Sequence, residues 1–440
     1  MPCRQKQIDI LLILKDEWKY HKLRKRMAII MENEKIKLIS GGICAAKGFK
    51  ASGIHCGIRK NRSKKDLALV VSEKLAATAA VYTTNLVKGA PLVVTQKNIA
   101  DGYAKAVICN SGNANTCNAD GLEIAEKMCE LTAAAVACDA SDVIVASTGV
   151  IGQRLSVEPI AASLPTLAKN ISYSGSRDAA EAIMTTDTVI KEIAVEFEIS
   201  GTKCRIGGIA KGSGMIHPNM ATMLVFITTD VAITPELLNV ALKGDVADTF
   251  NMISVDGDTS TNDMVAVLAN GEAGNQMITC ADSAEFAVFM KALNTVTVGL
   301  CRMIAGDGEG ATKLLECKVT GAADVIMART VAKSVVCSSL LKAAMFGADA
   351  NWGRVLCAIG YSGANVDVAK IDVSFRSAKG EILVCKNGAG VDFSEDTAKE
   401  ILLEKEIEIL VDVGAGNATS TAWGCDLTYD YVKINGDYRT

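Results

Sequence analysis

The sequence predicts an α/β fold of layered type, with helices outside paired sheets. Three observations lead there. The chain has 440 residues, enough for two domains or one large α/β unit. Its composition is 49% hydrophobic but 5% aromatic, with 37 Gly against 6 Pro, so Ala, Val, Ile and Leu fill an interior joined by tight turns. Short apolar runs of strand character alternate with segments of helical spacing, without a fixed-period repeat or a long linker.

The first 26 residues carry eight Lys or Arg against three Asp or Glu, around one apolar run, IDILLIL. That run is too short to span a membrane and lacks a small-residue cleavage site. Residues 1–31 are therefore expected to be a basic, non-native extension, with the working start at Met27 or Met31; a transit peptide and a basic arm are the other readings. KIKLISGG, DLALVVSE, AAVYTTN and APLVVTQ then read as strands bounded by Gly, Lys or Asn. AKAVICNSGNANTCNADGLEIAEKMCELTAAAVA reads as strand, polar loop and helix. DVIVASTGVIG is a strand ending in a Thr148–Gly149 turn, and KEIAVEFEI and CRIGGIA form a further strand set. After residue 222, MLVFITTDVAI is a strand, and Thr234-Pro235-Glu236 opens a helix with Thr as N-cap and Pro at the first position. A long helix is expected at AEFAVFMKALNTVTVGLCRMIA. Ser394 caps EDTAKEILLEK, and the strands EIEILVDV and LTYDYVKI close the chain.

The net charge of −4 argues against a nucleic-acid partner. The 15 Cys include no C-x-x-C pair, and Cys109, Cys357 and Cys385 have apolar neighbours. They read as reduced small hydrophobes, which implies the reducing cytosol. Three His (His21, His55, His217) and no H-E-x-x-H make a His-rich metal site implausible. No membrane association is expected.

Chemistry concentrates in KGSGMIHPNMATML, residues 211–224. A loose stretch with Gly212, Ser213 and Gly214 runs through His217-Pro218-Asn219 to Ala221-Thr222, then turns at once into a buried strand. A threonine opening a strand is ordinarily only a β-branched residue there. A hydroxyl at a loop-to-strand border after a small residue is also where a self-cleaving enzyme would place its nucleophile. If the Ala221–Thr222 bond opens, Thr222 gains an α-amine titrating near pH ~8. That amine can serve as base for its own hydroxyl, so one residue supplies nucleophile and base.

At this motif the sequence resembles the ornithine acetyltransferase family, also called the bifunctional glutamate N-acetyltransferase family of arginine biosynthesis. NSGNAN (110–115), ASTGVIG (146–152), TTDT (185–188), SVDGDTSTND (254–263), GDGEGATK (306–313), FGADANWGR (346–354) and NGDYRT (435–440) extend the resemblance over nearly all of residues 35–440. Two departures are Gly436, where Ala is common, and Ala350, where Pro is common. The resemblance implies a precursor that cuts itself into an α chain (32–221) and a β chain (222–440) beginning with Thr222. It implies a two-sheet α/β sandwich like that of N-terminal-nucleophile hydrolases, with different connectivity, assembled as an α2β2 heterotetramer. The implied reaction moves acetyl from N2-acetylornithine to glutamate through an acetyl-Thr222 intermediate, with no metal or organic cofactor; acetyl-CoA is a possible second acetyl donor.

The resemblance also gives roles to residues that look ordinary alone. Thr148 and Gly149 become the oxyanion donors of acyl transfer, where preorganised groups contribute ~3–4 kcal/mol. Lys211, Thr185 and Glu309 become substrate contacts: a partly buried ammonium can hold the carboxylate of an amino acid, and Glu309 can bind its amine or shuttle its proton. Asn435 and Thr440 bring the chain's last residues to the site, although termini usually fray. Two other motifs lead elsewhere. GDGEGA fits G-x-G-x-x-A but follows a helix end, and a lone match of this kind is weak. DGDTSTND resembles a calcium loop yet has Thr261 at its sixth position and Val267 at its twelfth. A self-processed amidohydrolase or aminopeptidase, and an uncleaved nucleotide-binding protein, are the alternative functions.

Overall fold

The apolar run after residue 222 forms the strand Leu224–Thr229, whose six residues are all buried. A computed structural model of the chain describes residues 36–217 and 223–436. A nine-stranded sheet surrounds the strand, in the order Lys37–Ile39, Lys191–Ile199, Thr202–Lys211, Leu224–Thr229, Met264–Ala269, Leu67–Tyr82, Tyr103–Asn110, Val143–Ser147, with Phe49–Ile54 also paired to Leu67–Tyr82. Leu224–Thr229 is antiparallel to Thr202–Lys211, with Lys211 opposite Leu224, and parallel to Met264–Ala269. Val225 and Ile227 face one core while Leu224 and Phe226 face another. A strand covered on both faces has no polar positions to alternate with, hence the unbroken apolar sequence.

The second sheet has seven strands: Ala389–Gly390, Gly380–Lys386, Asp372–Ser377, Glu406–Asp412, Leu314–Ala322, Ala418–Cys425 and Ile253–Ser254. The molecule is thus the expected two-sheet layered α/β. Helices Gly121–Val136 and Glu158–Lys169 cover one end of the first sheet through Met128 and Leu164, against Leu67, Leu69, Ile108 and Val145. The helix Ala284–Gly306 packs against strands of both sheets. Its length and composition would suffice to cross a membrane. Phe289, Leu293, Val296, Leu300 and Ile304 are instead fully buried in the core that joins the two sheets. The predicted caps form: Thr234 accepts from Leu237 N at 3.4 Å and Ser394 from Thr397 N at 3.2 Å.

Four expectations are corrected. APLVVTQ is not a strand but the start of helix Ala90–Asn98, with Pro91 in the first turn and Leu92, Val94 and Thr95 buried. Packing overrides the β-branched propensity of Val93 and Val94. DLALVVSE and AAVYTTN belong to one 16-residue strand, Leu67–Tyr82, which changes register against Tyr103–Asn110 between Val71 and Ala76. LTYDYVKI supplies the helix Tyr429–Gly436, which buries none of its residues. Cys357 is exposed, whereas Cys109 and Cys385 are buried; burial pushes the Cys109 thiol up to about 12. GDGEGA begins at Gly306, the last helical residue, and leads into a strand, so no strand-turn-helix surrounds it. Residues 1–31, Ala221, Thr222 and Thr440 lie outside the described residues.

Candidate active site

The first wall is the end of Val143–Ser147. Thr148 N donates to Asn110 O at 2.9 Å and Ala114 N to Val150 O at 3.0 Å, so the ASTGVIG turn lies along the NSGNAN loop. Asn110 ties that loop to itself and to Ser147: its Nδ2 donates to Ser147 Oγ at 2.7 Å, and its Oδ1 accepts from Asn113 N at 3.0 Å. Gly149 has φ +128°, and a Cβ there would lie 2.7–2.9 Å from Gly112 and Asn113 backbone atoms. Only glycine fits. Asn262 pins the same region from the C-terminal half, donating to Ala114 O at 2.6 Å and Ser147 O at 3.0 Å.

Lys211 ends its strand beside this wall and is buried, with Nζ 3.3 Å from Thr148 Oγ1. A hydroxyl that accepts from an ammonium has its own proton free to donate elsewhere. Burial lowers the Lys211 ammonium below the ordinary lysine range, Lys191 lowers it further, and Asp187 and Asp263 oppose. Asp263 is buried with Oδ2 unpartnered, and burial pushes its carboxyl well above the usual range.

Beneath Lys211 lies a buried charge cluster. Lys191 Nζ bonds Asp187 Oδ1 and Asp307 Oδ2, each at 2.6 Å, and the side chains of Lys191 and Asp187 have no exposed surface. Asp187 also accepts from Thr185 N at 2.9 Å and Gly212 N at 2.7 Å, while Asp307 accepts from Thr188 N at 3.0 Å. Burial would raise the Asp187 carboxyl, but Lys191, Lys211 and the Gly212 N–H hold it well below the carboxylate range. The cluster joins the TTDT, KGSG and GDGEG segments at one point. Removing one member of such a buried set typically costs ~3–5 kcal/mol.

The opposite wall comes from Glu309, which is 6% exposed. Its N–H donates to Ser213 O at 2.9 Å, and a Cβ on Gly214 would displace its carboxyl group from the position it holds. Glu309 Oε2 accepts from Asn435 Nδ2 at 2.7 Å, which brings the C-terminal helix to the site. Met215 is held at φ +57°, a left-handed conformation costing a side-chain-bearing residue about 1–3 kcal/mol. His217 turns to the core, with Nδ1 3.2 Å from Ser254 Oγ and 3.4 Å from Cys337 Sγ; burial and then Lys333 lower it to about 4.

These walls enclose a cavity of about 270 Å³. Thr148, Gly149, Thr185, Lys211, Glu309 and Asn435 all line it. Every site residue expected from the sequence that falls within the described residues therefore faces one space. Sequence reasoning misses Asp187, Lys191, Asp307 and Asn262. TTDT, GDGEG and SVDGDTSTND mark three of them as motif members; nothing marks Lys191, which reads as one polar residue in a strand. Among the described residues, no group of three or more His, Cys, Asp or Glu has a metal-binding arrangement.

Comparisons with known proteins give the chain's family. A model of the ArgJ family matches residues 50–440. The arginine biosynthesis bifunctional protein ArgJ of Caldanaerobacter subterraneus subsp. tengcongensis is 51% identical over 406 residues, covering 92% of this chain and all of that protein. ArgJ 1 of Clostridium acetobutylicum is 50% identical over 393 residues, covering 89% of this chain and 96% of its own length. A crystal structure of the bifunctional ArgJ protein from Bacillus halodurans is 49% identical, with a TM-score of 0.47 over 49% of this chain and 99% of that one. With a family model spanning nearly the whole described region and full-length relatives at half identity, this chain belongs to the ArgJ family.

Proposed function

We propose that the chain is a glutamate N-acetyltransferase of arginine biosynthesis that first cuts itself at Ala221–Thr222 and then carries acetyl on Thr222. The observation that supports this most strongly is the meeting of six residues, from five separate segments, around one cavity. The names of its relatives, bifunctional proteins of arginine biosynthesis, agree with it. In the cut, the Thr222 hydroxyl attacks the Ala221 carbonyl, acyl moves from nitrogen to oxygen, and water hydrolyses the ester. The products are an Ala221 carboxylate and a free Thr222 amine.

In turnover, that amine takes the hydroxyl proton as Thr222 oxygen attacks the acetyl carbonyl of N2-acetylornithine. The Thr148 hydroxyl and Gly149 N–H hold the oxyanion, consistent with a Thr148 oxygen already accepting from Lys211. Ornithine leaves with the proton. The amine of glutamate then attacks the acetyl ester, giving N-acetylglutamate and restoring Thr222. Lys211 holds the substrate carboxylate, Glu309 and Asn435 its amine-bearing end, and Thr185 and Thr440 complete the contacts. We place the enzyme in the cytoplasm as an α2β2 heterotetramer, without a cofactor, with acetyl-CoA as a second donor.

Denaturing electrophoresis with Edman sequencing tests the reading. Two fragments of about half the mass are expected, the later one beginning Thr-Met-Leu-Val. Thr222→Ala should give a single uncut chain without acetyl transfer; a cut or active Thr222→Ala protein ends the proposal. Product analysis with and without glutamate separates transfer from hydrolysis, and glutamate acetylation fed by acetyl-CoA decides the second donor.

A further inference from the structure

Asp256 makes four contacts that the reaction above does not use. Its Oδ2 accepts from Met215 N at 2.5 Å and its Oδ1 from Ile216 N at 2.8 Å. Oδ1 also receives Asp258 N, and Oδ2 receives the Tyr431 hydroxyl, each at 3.3 Å. One carboxylate thus caps two successive N–H groups upstream of the proposed cut and also reaches the C-terminal helix. Met215, the capped residue, is the one in a left-handed conformation, and it lines the cavity. Ile216 is fastened again: its carbonyl accepts from Val255 N at 2.7 Å. The helix carrying Tyr431 buries no residue, so surface contacts place it: the edge-on Phe346–Tyr429 ring pair and several polar bonds. Among these are Thr428 Oγ1 to Gly310 O and Asn435 Nδ2 to Glu309 Oε2, both at 2.7 Å.

We propose that Asp256 is a positioning residue that couples the segment before the cut to the C-terminal helix, so that Asn435 is held at the cavity. The inference rests on the function proposed above. After the cut, residues 215–216 belong to the α chain, while Asp256 and Tyr431 belong to the β chain. Asp256 then fastens Met215 and Ile216 of the α chain and the C-terminal helix of the β chain at one group, and substrate affinity depends on both. Burial and the adjacent Asp256 carboxylate push the Tyr431 phenol above its usual range, so it remains a donor.

The test uses the self-cut full chain. Tyr431→Phe deletes one hydroxyl without changing the fold's volume, and should cut to completion. Its KM for acetylornithine should rise about threefold, less than the loss of Asn435 itself, while kcat is unchanged, the low end for one lost hydrogen bond. Asp256→Asn sets an amide donor against either Met215 N–H or the Ile216 and Asp258 N–H groups; it should raise KM at least as far and slow the cut. The double variant should be no worse than Asp256→Asn, because both act through one contact. A wild-type KM in Tyr431→Phe, or multiplying effects in the double variant, overturns the coupling. Wild-type chain that neither splits nor transfers acetyl removes the proposed function as well; wild-type chain that does both beside an unaffected Tyr431→Phe enzyme sinks only the Asp256 inference. If Asp256→Asn fails to fold, the KM of Tyr431→Phe alone decides.

Discussion

The two walls of the cavity are built by opposite means. The wall of Thr148 and Gly149 hangs on the end of a buried strand, with Asn110 and Asn262 filling their hydrogen bonds from buried positions. The wall of Glu309 and Asn435 couples a buried carboxylate to a helix that buries none of its residues and meets the body through polar contacts and one edge-on ring pair, Phe346–Tyr429. Rigid donors suit charge that forms only in the transition state. A wall held by a few surface contacts can instead open for substrate and close on it. The contrast implies that the first wall governs kcat and the second governs KM.

The largest effect should come from the first wall. Thr148→Ala is expected to lower kcat by about 10²–10³ with KM within a few-fold, the usual loss for one oxyanion donor; a change confined to KM would break the contrast. Lys211 touches Thr148 yet is expected to bind the substrate carboxylate, so it sharpens the comparison through pH. Its folded-state ammonium is lowered below 10.5, chiefly by burial. The charged form is therefore present at low pH and lost as pH rises through that lowered value, before an exposed lysine would titrate. KM for acetylornithine should climb about tenfold per unit above it, measured against Lys211→Met, which lacks that slope. A KM flat with pH in both proteins removes the carboxylate role. The smallest effect belongs to the second wall: Asn435→Ala should raise KM about fivefold at constant kcat, one net hydrogen bond. A fall in kcat instead would mean that the second wall also serves the transition state.

Much of this site was legible because its residues sit in local motifs: ASTG, TTDT, KGSG and GDGEG each carry a turn and a chemical group together. The helix starts at Thr234 and Ser394 were equally local, being a hydroxyl three residues before the backbone N–H it caps. What escaped was decided by distance along the chain. Lys191 and Asp307 pair across 116 residues, and no spacing announces that bond. LTYDYVKI alternates polar and apolar residues like a strand, yet it forms a helix held by partners near residues 256 and 309–310. Leu67–Tyr82 passes straight through the polar Ser72-Glu73-Lys74, because new pairing with Met264–Ala269 takes over from Phe49–Ile54.

The position of Leu224–Thr229 carries one more consequence. It and its parallel neighbour Met264–Ala269 lie between Thr202–Lys211 on one side and Leu67–Tyr82 on the other. A break between residues 221 and 222 would leave a sheet stitched from two polypeptides, the later one threaded through the middle of the earlier. Produced from separate genes, the first piece would carry two raw seams, ready to recruit foreign strands. The pieces should therefore stay soluble only when made together.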